Sequence, residues 1–333
     1  MDEIKRIVTD IKNRNIKPIY LLQGDEPYYI DKISEYIEDN ILSEEEKGFN
    51  QVILYGKETT VGDIIASSKR FPMMAEHQVV IIKEAQDLAR TIDQLEDYVQ
   101  NPQPSTVLVL CYKYKKLDAR TKVFKGIKKN GLVFESKKLY DNQVGDWIQK
   151  VLAGKQYKIN YKACQMLVEF LGTDLGTISK ELEKLRLIIP PGNEITPEDI
   201  EKNIGISKDY NQFELQAALA TKDVTKAVKI INYFGENEKN NPMVFTVTML
   251  FTFFSALLKY HGASNKSWDH MTKKVGIRSY LLKNLKPAAS LYPLKKVSTI
   301  ISILNEYDAK SKGMGSKAAN TDLMREMITK IMA

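Results

Sequence analysis

The hydrophobic positions of the first 140 residues alternate between two periods. Isoleucines and valines recur every three or four positions in residues 4–16, which predicts an amphipathic helix. The same spacing predicts further helices at residues 29–37, 61–66 and 88–98. Short β-branched runs between them predict five buried strands, at residues 18–22, 52–56, 79–82, 106–111 and 132–135. Strands that alternate with helices in this way predict a doubly wound α/β domain with a parallel sheet.

After Tyr140 the strand patterns stop and only helical spacing remains. Residues 144–152, 163–171 and 175–188 predict three helices, and Thr196-Pro197 predicts the N-cap and first residue of a short fourth one. Residues 211–333 are predicted to be helical throughout, with a last helix from about Thr321. We therefore predict an α/β domain at residues 1–140, a small helical domain at 141–208 and a second helical domain at 209–333.

The amino-acid composition indicates the cellular compartment. At 43% hydrophobic and 27% charged residues, the chain can bury cores and stay in solution. No apolar run in the sequence approaches the length of a membrane span, and the N-terminus does not have the pattern of a signal peptide. Cys111 and Cys164 lie in apolar patterns without metal-type spacing. These features predict a reduced cytoplasmic protein with no membrane partner.

Charge is distributed unevenly. Residues 1–100 carry twelve Lys and Arg against twenty Asp and Glu, whereas residues 101–140 carry ten against two. Residues 211–333 carry eighteen against nine. The densest basic block follows a predicted strand and includes Lys115, Lys116, Arg120 and Lys122, with Tyr112 and Tyr114 beside it. Such a block is typical of a solvated face, and it also fits a contact with phosphate or with an acidic partner, so both interpretations stay open.

The first strand ends in a glycine turn, Gly24, and a helix follows. Nucleotide-binding folds hold phosphate in this geometry, but a P-loop also needs a second glycine, a lysine and a hydroxyl. This turn has Asp25 and Glu26 instead, and the strand that would end in a metal-binding acid ends in Tyr112-Lys113. None of the three histidines stands in a nucleophile or metal motif. We expect no catalytic residues, no cofactor and no metal site.

An unusual apolar segment precedes the third strand. Phe71, Pro72, Met73 and Met74 stand where a connection into a sheet is normally polar. Methionine repacks easily, so it suits both a core lid and a plug that enters a pocket of another protein. The residues alone favour the core lid, because apolar side chains are usually interior.

Several motifs occur in an order that resembles the delta subunit family of bacterial DNA polymerase III. They are YLLQGDE at 20–26, FPMM at 71–74, KKLDARTK at 115–122, ELEKL at 181–185, TPEDI at 196–200 and Lys310-x-x-Gly313. Each motif is weak alone, but together they extend over the whole chain. The resemblance implies a RecA/AAA+-like parallel sheet domain that lacks a functional P-loop, a three-helix lid and a helical collar.

The resemblance also implies a function and partners. A clamp-loader subunit of this family binds the β sliding clamp and opens the ring for loading on primed DNA without hydrolysing ATP itself. Phe71, Pro72, Met73 and Met74 match the clamp-binding positions, of which the last is often aromatic in the family. The collar would join the tau/gamma and delta-prime subunits. Any polymerase activity would belong to the holoenzyme.

Primer–template DNA would be contacted through the complex. Lys310 and Lys312 of the collar, together with the block from Lys115 to Lys122, are the candidate contacts with DNA or a partner. An independent DNA-binding protein with the same basic blocks is the alternative, in which the methionines would be core. A true NTPase with a divergent phosphate loop is a third reading.

Overall fold

The computed structural model describes residues 2–277 and 281–333. The chain forms two compact units, Met1–Leu139 and Tyr140–Ala333. Each unit has a hydrophobic core of its own. The predicted division of the second unit into domains at 141–208 and 209–333 stays a prediction.

The first unit is built on a five-stranded sheet in the order β2-β3-β4-β1-β5, with every neighbouring pair parallel. The strands are β1 (Ile19–Gly24), β2 (Gln51–Tyr55), β3 (Gln78–Lys83), β4 (Thr106–Lys113) and β5 (Leu132–Ser136). All five lie where the β-branched runs predict them. The central strands are buried along nearly their whole length, as continuous apolar runs require.

Helices cover both faces of this sheet because successive strand residues point to opposite sides. Tyr20 and Leu22 pack towards the opening helices, whereas Ile19 and Leu21 pack towards the helices after β2. The helices of the unit are α1 (Asp2–Lys12), α2 (Pro27–Asn40), α3 (Glu44–Asn50), α4 (Val61–Ser68), α5 (Glu96–Gln100) and α6 (Lys122–Asn130).

Two predictions for this unit need correction. The helix predicted at residues 88–98 is instead two 3₁₀ turns, Ala85–Leu88 and Ile92–Leu95, followed by the five-residue α5. Both arrangements bury a residue every three or four positions, so periodicity alone does not separate them. Helix α3 was not predicted, since its seven residues carry no apolar repeat; a Ser43–Glu46 capping box begins it.

The second unit is almost entirely helical. Its first helices are α7 (Asp141–Ala153), α8 (Tyr161–Leu171), α9 (Leu175–Ile188) and α10 (Pro197–Ile204), which match the three predicted helices and the short fourth one. The later helices are α11 (Gln212–Ala220), α12 (Val224–Glu236), α13 (Met243–Gly262), α14 (Leu282–Leu291), α15 (Leu294–Ser311) and α16 (Asn320–Met332), with a π-helical turn at His270–Lys274. Strand pairing does not stop completely, because β6 (Lys158–Ile159) and β7 (Glu194–Ile195) form a parallel pair.

Helix α13 corrects another expectation of the sequence analysis. It is long and apolar enough, by length and composition, to cross a membrane, although no run of that length was expected. Half of its most apolar window is buried inside the protein, with Leu250, Phe253 and Phe254 in the core of the second unit. Its apolar character is therefore explained by packing on several sides.

The predicted order of architectures is confirmed: an α/β unit with a parallel sheet is followed by an almost entirely helical unit. Both cysteines are free and buried, as the sequence predicts. Burial raises the pKa of Cys111 and of Cys164 to about 11, so each thiol is protonated and unreactive at neutral pH.

Candidate partner-binding site

Residues 71–77 form an irregular connection between α4 and β3. They lie at the amino end of β3, whereas Gly24 lies at the carboxyl end of β1. Because the strands are parallel, all carboxyl ends meet at one edge of the sheet and all amino ends at the other. The apolar segment and the nucleotide-type turn therefore occupy opposite edges of the same domain.

The large side chains of the segment point outwards. Phe71 is 76% exposed, Met73 62% and Met74 fully exposed, while Pro72 is half-buried. The core-lid interpretation, which the residues alone favour, is thus wrong. Contiguous large apolar side chains on a folded surface are typical of interaction sites.

A buried side chain holds the segment in place. The Oδ1 atom of Asn50, at the end of α3, accepts a hydrogen bond from the Met73 N–H at 2.6 Å, and its Nδ2 donates to the Met73 carbonyl at 2.9 Å. The same Nδ2 donates to the Glu46 carbonyl at 3.0 Å. Asn50 is only 1% exposed, so both backbone groups of Met73 are fixed in a protected place. Sequence reasoning missed this residue, since α3 itself was missed.

Further contacts fix the end of the segment. Ala75 packs against the core on one face of the sheet. The Gln78 side chain donates to the Ser67 carbonyl at 3.1 Å, and the Gln78 N–H donates to the Ser105 carbonyl at 2.8 Å. Met74 has φ of 55°, a left-handed conformation that a residue with a side chain adopts at a cost of about 1 kcal/mol or more. The turn that displays the methionines is thus imposed by its surroundings.

At the opposite edge, the chain itself uses the amides that would hold phosphate. The Gly24 N–H donates to the Lys115 carbonyl at 3.1 Å, and the Asp25 N–H donates to the Ser136 carbonyl at 3.0 Å. The Glu26 carboxylate accepts from the Tyr28 N–H at 3.1 Å, where the first turn of α2 would attract an anion. A carboxylate and two carbonyls thus take the positions that suit phosphate oxygens.

An ion-pair network continues this edge. Lys113, the last residue of β4, contacts Glu84 at 2.7 Å and Asp31 at 2.9 Å with Nζ. Burial opposes its charge, but the bonds to Glu84 and Asp31 outweigh burial and raise the pKa of Lys113 above its ordinary value. In the sequence, Lys113 is notable only because it stands where a nucleotide-binding strand would end in a metal-binding acid. Here it joins β4, α2 and the turn after β3.

The predicted basic contacts are distributed over both units and are mostly paired. Five cations bind carboxylates of the chain: Lys116 with Glu135, Arg120 with Asp118, Lys122 with Glu96, Lys310 with Glu306 and Lys312 with Asp308. Lys115 is exposed and forms no ion pair with the residues that the structure describes. Pairing reduces the positive charge available to DNA, which weakens the alternative of an independent DNA-binding protein. Their contact with DNA or a partner stays a prediction.

No group of three or more His, Cys, Asp or Glu side chains suited to a metal ion occurs within residues 2–277 and 281–333. The candidate site is the apolar projection at one edge of the sheet, and the turn at the other edge is bonded internally.

Gly24→Ala tests how tightly the turn is closed. Gly24 has φ of 128°, and a Cβ atom there would lie 2.0 Å from the Ser136 carbonyl oxygen. We expect the substitution to lower the free energy of unfolding by ~3 kcal/mol or more in urea denaturation. Gly62→Ala in α4 is the control, because its Cβ meets nothing closer than 3.6 Å and should leave stability unchanged or slightly higher. Equal midpoints for the two variants would contradict the closed turn.

Equilibrium dialysis with ATP and Mg²⁺ tests the same turn chemically. Since its amides are already bonded and Glu26 repels phosphate, we expect no saturable binding at micromolar ATP. Mg²⁺-dependent binding in that range would instead establish a divergent phosphate site.

The first unit matches a known protein family, and similarity to known proteins extends along nearly the whole chain. Residues 20–137 match the model of a family described as DNA polymerase III, delta subunit. The DNA polymerase III subunit delta of Bacillus subtilis (strain 168) is 26% identical over 313 residues, which cover 91% of this chain and 90% of that protein. The solved structure of the Bacillus subtilis DNA clamp loader delta protein covers 99% of both chains at 24% identity with a TM-score of 0.57.

A more distant solved structure, the RuvB Holliday junction branch migration motor of Thermotoga maritima, covers 87% of each chain at 10% identity and a TM-score of 0.39. That value is too low to support an inference. The resemblance found in the sequence is confirmed by the family match and by the likeness along nearly the whole chain. The chain thus resembles the delta subunits of bacterial DNA polymerase III, with the family match at residues 20–137 and similarity to the Bacillus subtilis subunit along nearly the whole chain.

Proposed function

We propose that this chain is a clamp-loader subunit, which binds the ring-shaped β sliding clamp through Phe71, Pro72, Met73 and Met74 and opens the ring for loading on primed DNA. The proposal rests above all on one observation: Met73 and Met74 are exposed on a segment whose backbone is fixed by buried Asn50. A projection whose backbone is already fixed loses less conformational entropy when it enters a pocket, which favours binding.

The size of the apolar contact suits a transient complex. Burying a methionine side chain is worth roughly 1.5–3 kcal/mol at most. Two methionines and Phe71 would make a small hot spot, in which a few central side chains supply most of the binding free energy. Such a contact can be made and released in each loading cycle.

Ring opening follows if the segment binds the open ring more tightly than the closed one. A binding partner shifts an equilibrium only by its difference in affinity for the two states. A preference of about 2.8 kcal/mol for the open interface raises the ratio of open to closed rings about 100-fold. No ATP hydrolysis by this subunit is needed for that step.

The remaining proposed partners follow from the resemblance to the delta subunit family. We infer that the helices of residues 209–333 join the tau/gamma and delta-prime subunits in the bacterial cytoplasm. Primer–template DNA would be reached through the complex, with Lys310, Lys312 and the block from Lys115 to Lys122 as candidate contacts. Most of these side chains would have to exchange a carboxylate of the chain for a DNA phosphate. Their contribution should therefore be small and dependent on salt.

Substitution of both methionines tests the proposal. Met73→Ser/Met74→Ser should raise the dissociation constant for the β clamp by about 100-fold or more, because the transferred apolar area is lost. Surface plasmon resonance against immobilised clamp measures it. Met314→Ser is the matched control, since Met314 is 66% exposed and lies in the other unit, and it should bind as the wild type does.

The result has a clear opposite. If the double variant keeps the wild-type melting temperature and still binds the clamp with wild-type affinity, the segment is not the clamp-binding site. A loss of affinity shared by Met314→Ser would point to a general effect of methionine replacement instead.

A further inference from the structure

We propose that Phe49 is a second anchor for the β clamp, displayed by α3 beside the apolar segment of residues 71–74, which we call the methionine segment. This inference rests on the proposed clamp-binding function and extends it to an element outside the 71–74 motif. Phe49 is 74% exposed, although it is a large aromatic residue, and it directly precedes Asn50, which is buried. The chain therefore turns one side of the last turn of α3 inwards and the aromatic ring outwards.

The hydrogen bonds of Asn50 bring the two apolar features together. Its amide bonds both backbone groups of Met73 and the Glu46 carbonyl of its own helix. One residue thus links the end of α3 to the centre of the segment. Phe49 directly precedes Asn50, so the Cα atoms of the two residues are about 3.8 Å apart.

Sheet topology supports the same placement. Strands β2 and β3 are parallel neighbours, and Gln51 at the start of β2 lies opposite Val79 near the start of β3. Neighbouring strands run about 4.8 Å apart. The chain therefore runs from Phe49 into β2 beside the point where residues 71–77 lead into β3, at the same amino edge of the sheet.

The surface fits a partner of defined chemistry. On the partner, an apolar pocket would take Met73 and Met74, and a flat apolar area beside that pocket would contact the Phe49 ring. Glu45 is exposed at the start of α3 beside Glu44, which pairs with Lys47, so the rim on this side is mildly acidic. A basic rim on the ring protein would complement it. A lone exposed aromatic residue needs no partner, but one joined to an apolar projection extends its contact area.

Phe49→Ser tests the second anchor against purified β clamp by surface plasmon resonance. We expect the dissociation constant to rise by about 10-fold, mainly through faster dissociation, since truncation of interface contacts acts chiefly on the off-rate. Tyr55→Ser is the matched control. Tyr55 is a 51% exposed aromatic residue at the carboxyl end of β2, so it lies at the opposite edge of the sheet. Its substitution should leave the dissociation constant within about twofold of wild type.

Phe49→Leu separates contact from folding. It keeps an apolar side chain on α3 and removes only the ring, so its affinity should fall between those of wild type and Phe49→Ser. If wild type, Phe49→Leu and Phe49→Ser bind equally while Met73→Ser/Met74→Ser does not bind, the second anchor is overturned and the clamp-binding site stands. If Met73→Ser/Met74→Ser also binds as tightly as wild type, the proposed function itself fails.

Discussion

The side-chain amide of Asn50 is the contact on which the displayed site depends. It bonds the N–H and the carbonyl of Met73 and is itself buried, so water does not compete for these bonds. Without it, two backbone groups of a loop would need new partners, and the loop would gain conformational freedom. A short helix, α3, supplies this residue. The helix therefore has a role beyond connecting α2 to β2.

The parallel sheet separates two edges of the first unit that differ in their chemistry. At the carboxyl edge, carbonyl groups and Glu26 bond the amides of the turn, and Lys113 joins Asp31 and Glu84 where a metal-binding acid would stand. These bonds stiffen the edge instead of leaving it open for phosphate. At the amino edge, the connection into β3 presents apolar side chains to solvent.

The sequence predicts those strands and helices that depend on a continuous pattern of apolar residues. All five strands were found because buried parallel strands are unbroken β-branched runs, and the helices of the second unit were found from their apolar spacing and caps. The two-residue strands β6 and β7 are too short to leave a pattern. Asn50 could not be found by periodicity, because its contact joins residues 23 positions apart. The Ser43–Glu46 capping box was the one local signal for its helix.

The proposed binding of Met73 and Met74 to the β clamp depends on a backbone that Asn50 holds in place. Asn50→Ala tests this dependence and leaves both methionines unchanged. The direct measurement is the dissociation constant of this variant for the β clamp, with hydrogen exchange of the Met73 amide recorded on the free protein. Faster exchange of that amide together with weaker clamp binding is the predicted result. Wild-type affinity in a variant whose Met73 amide exchanges freely would contradict the claim.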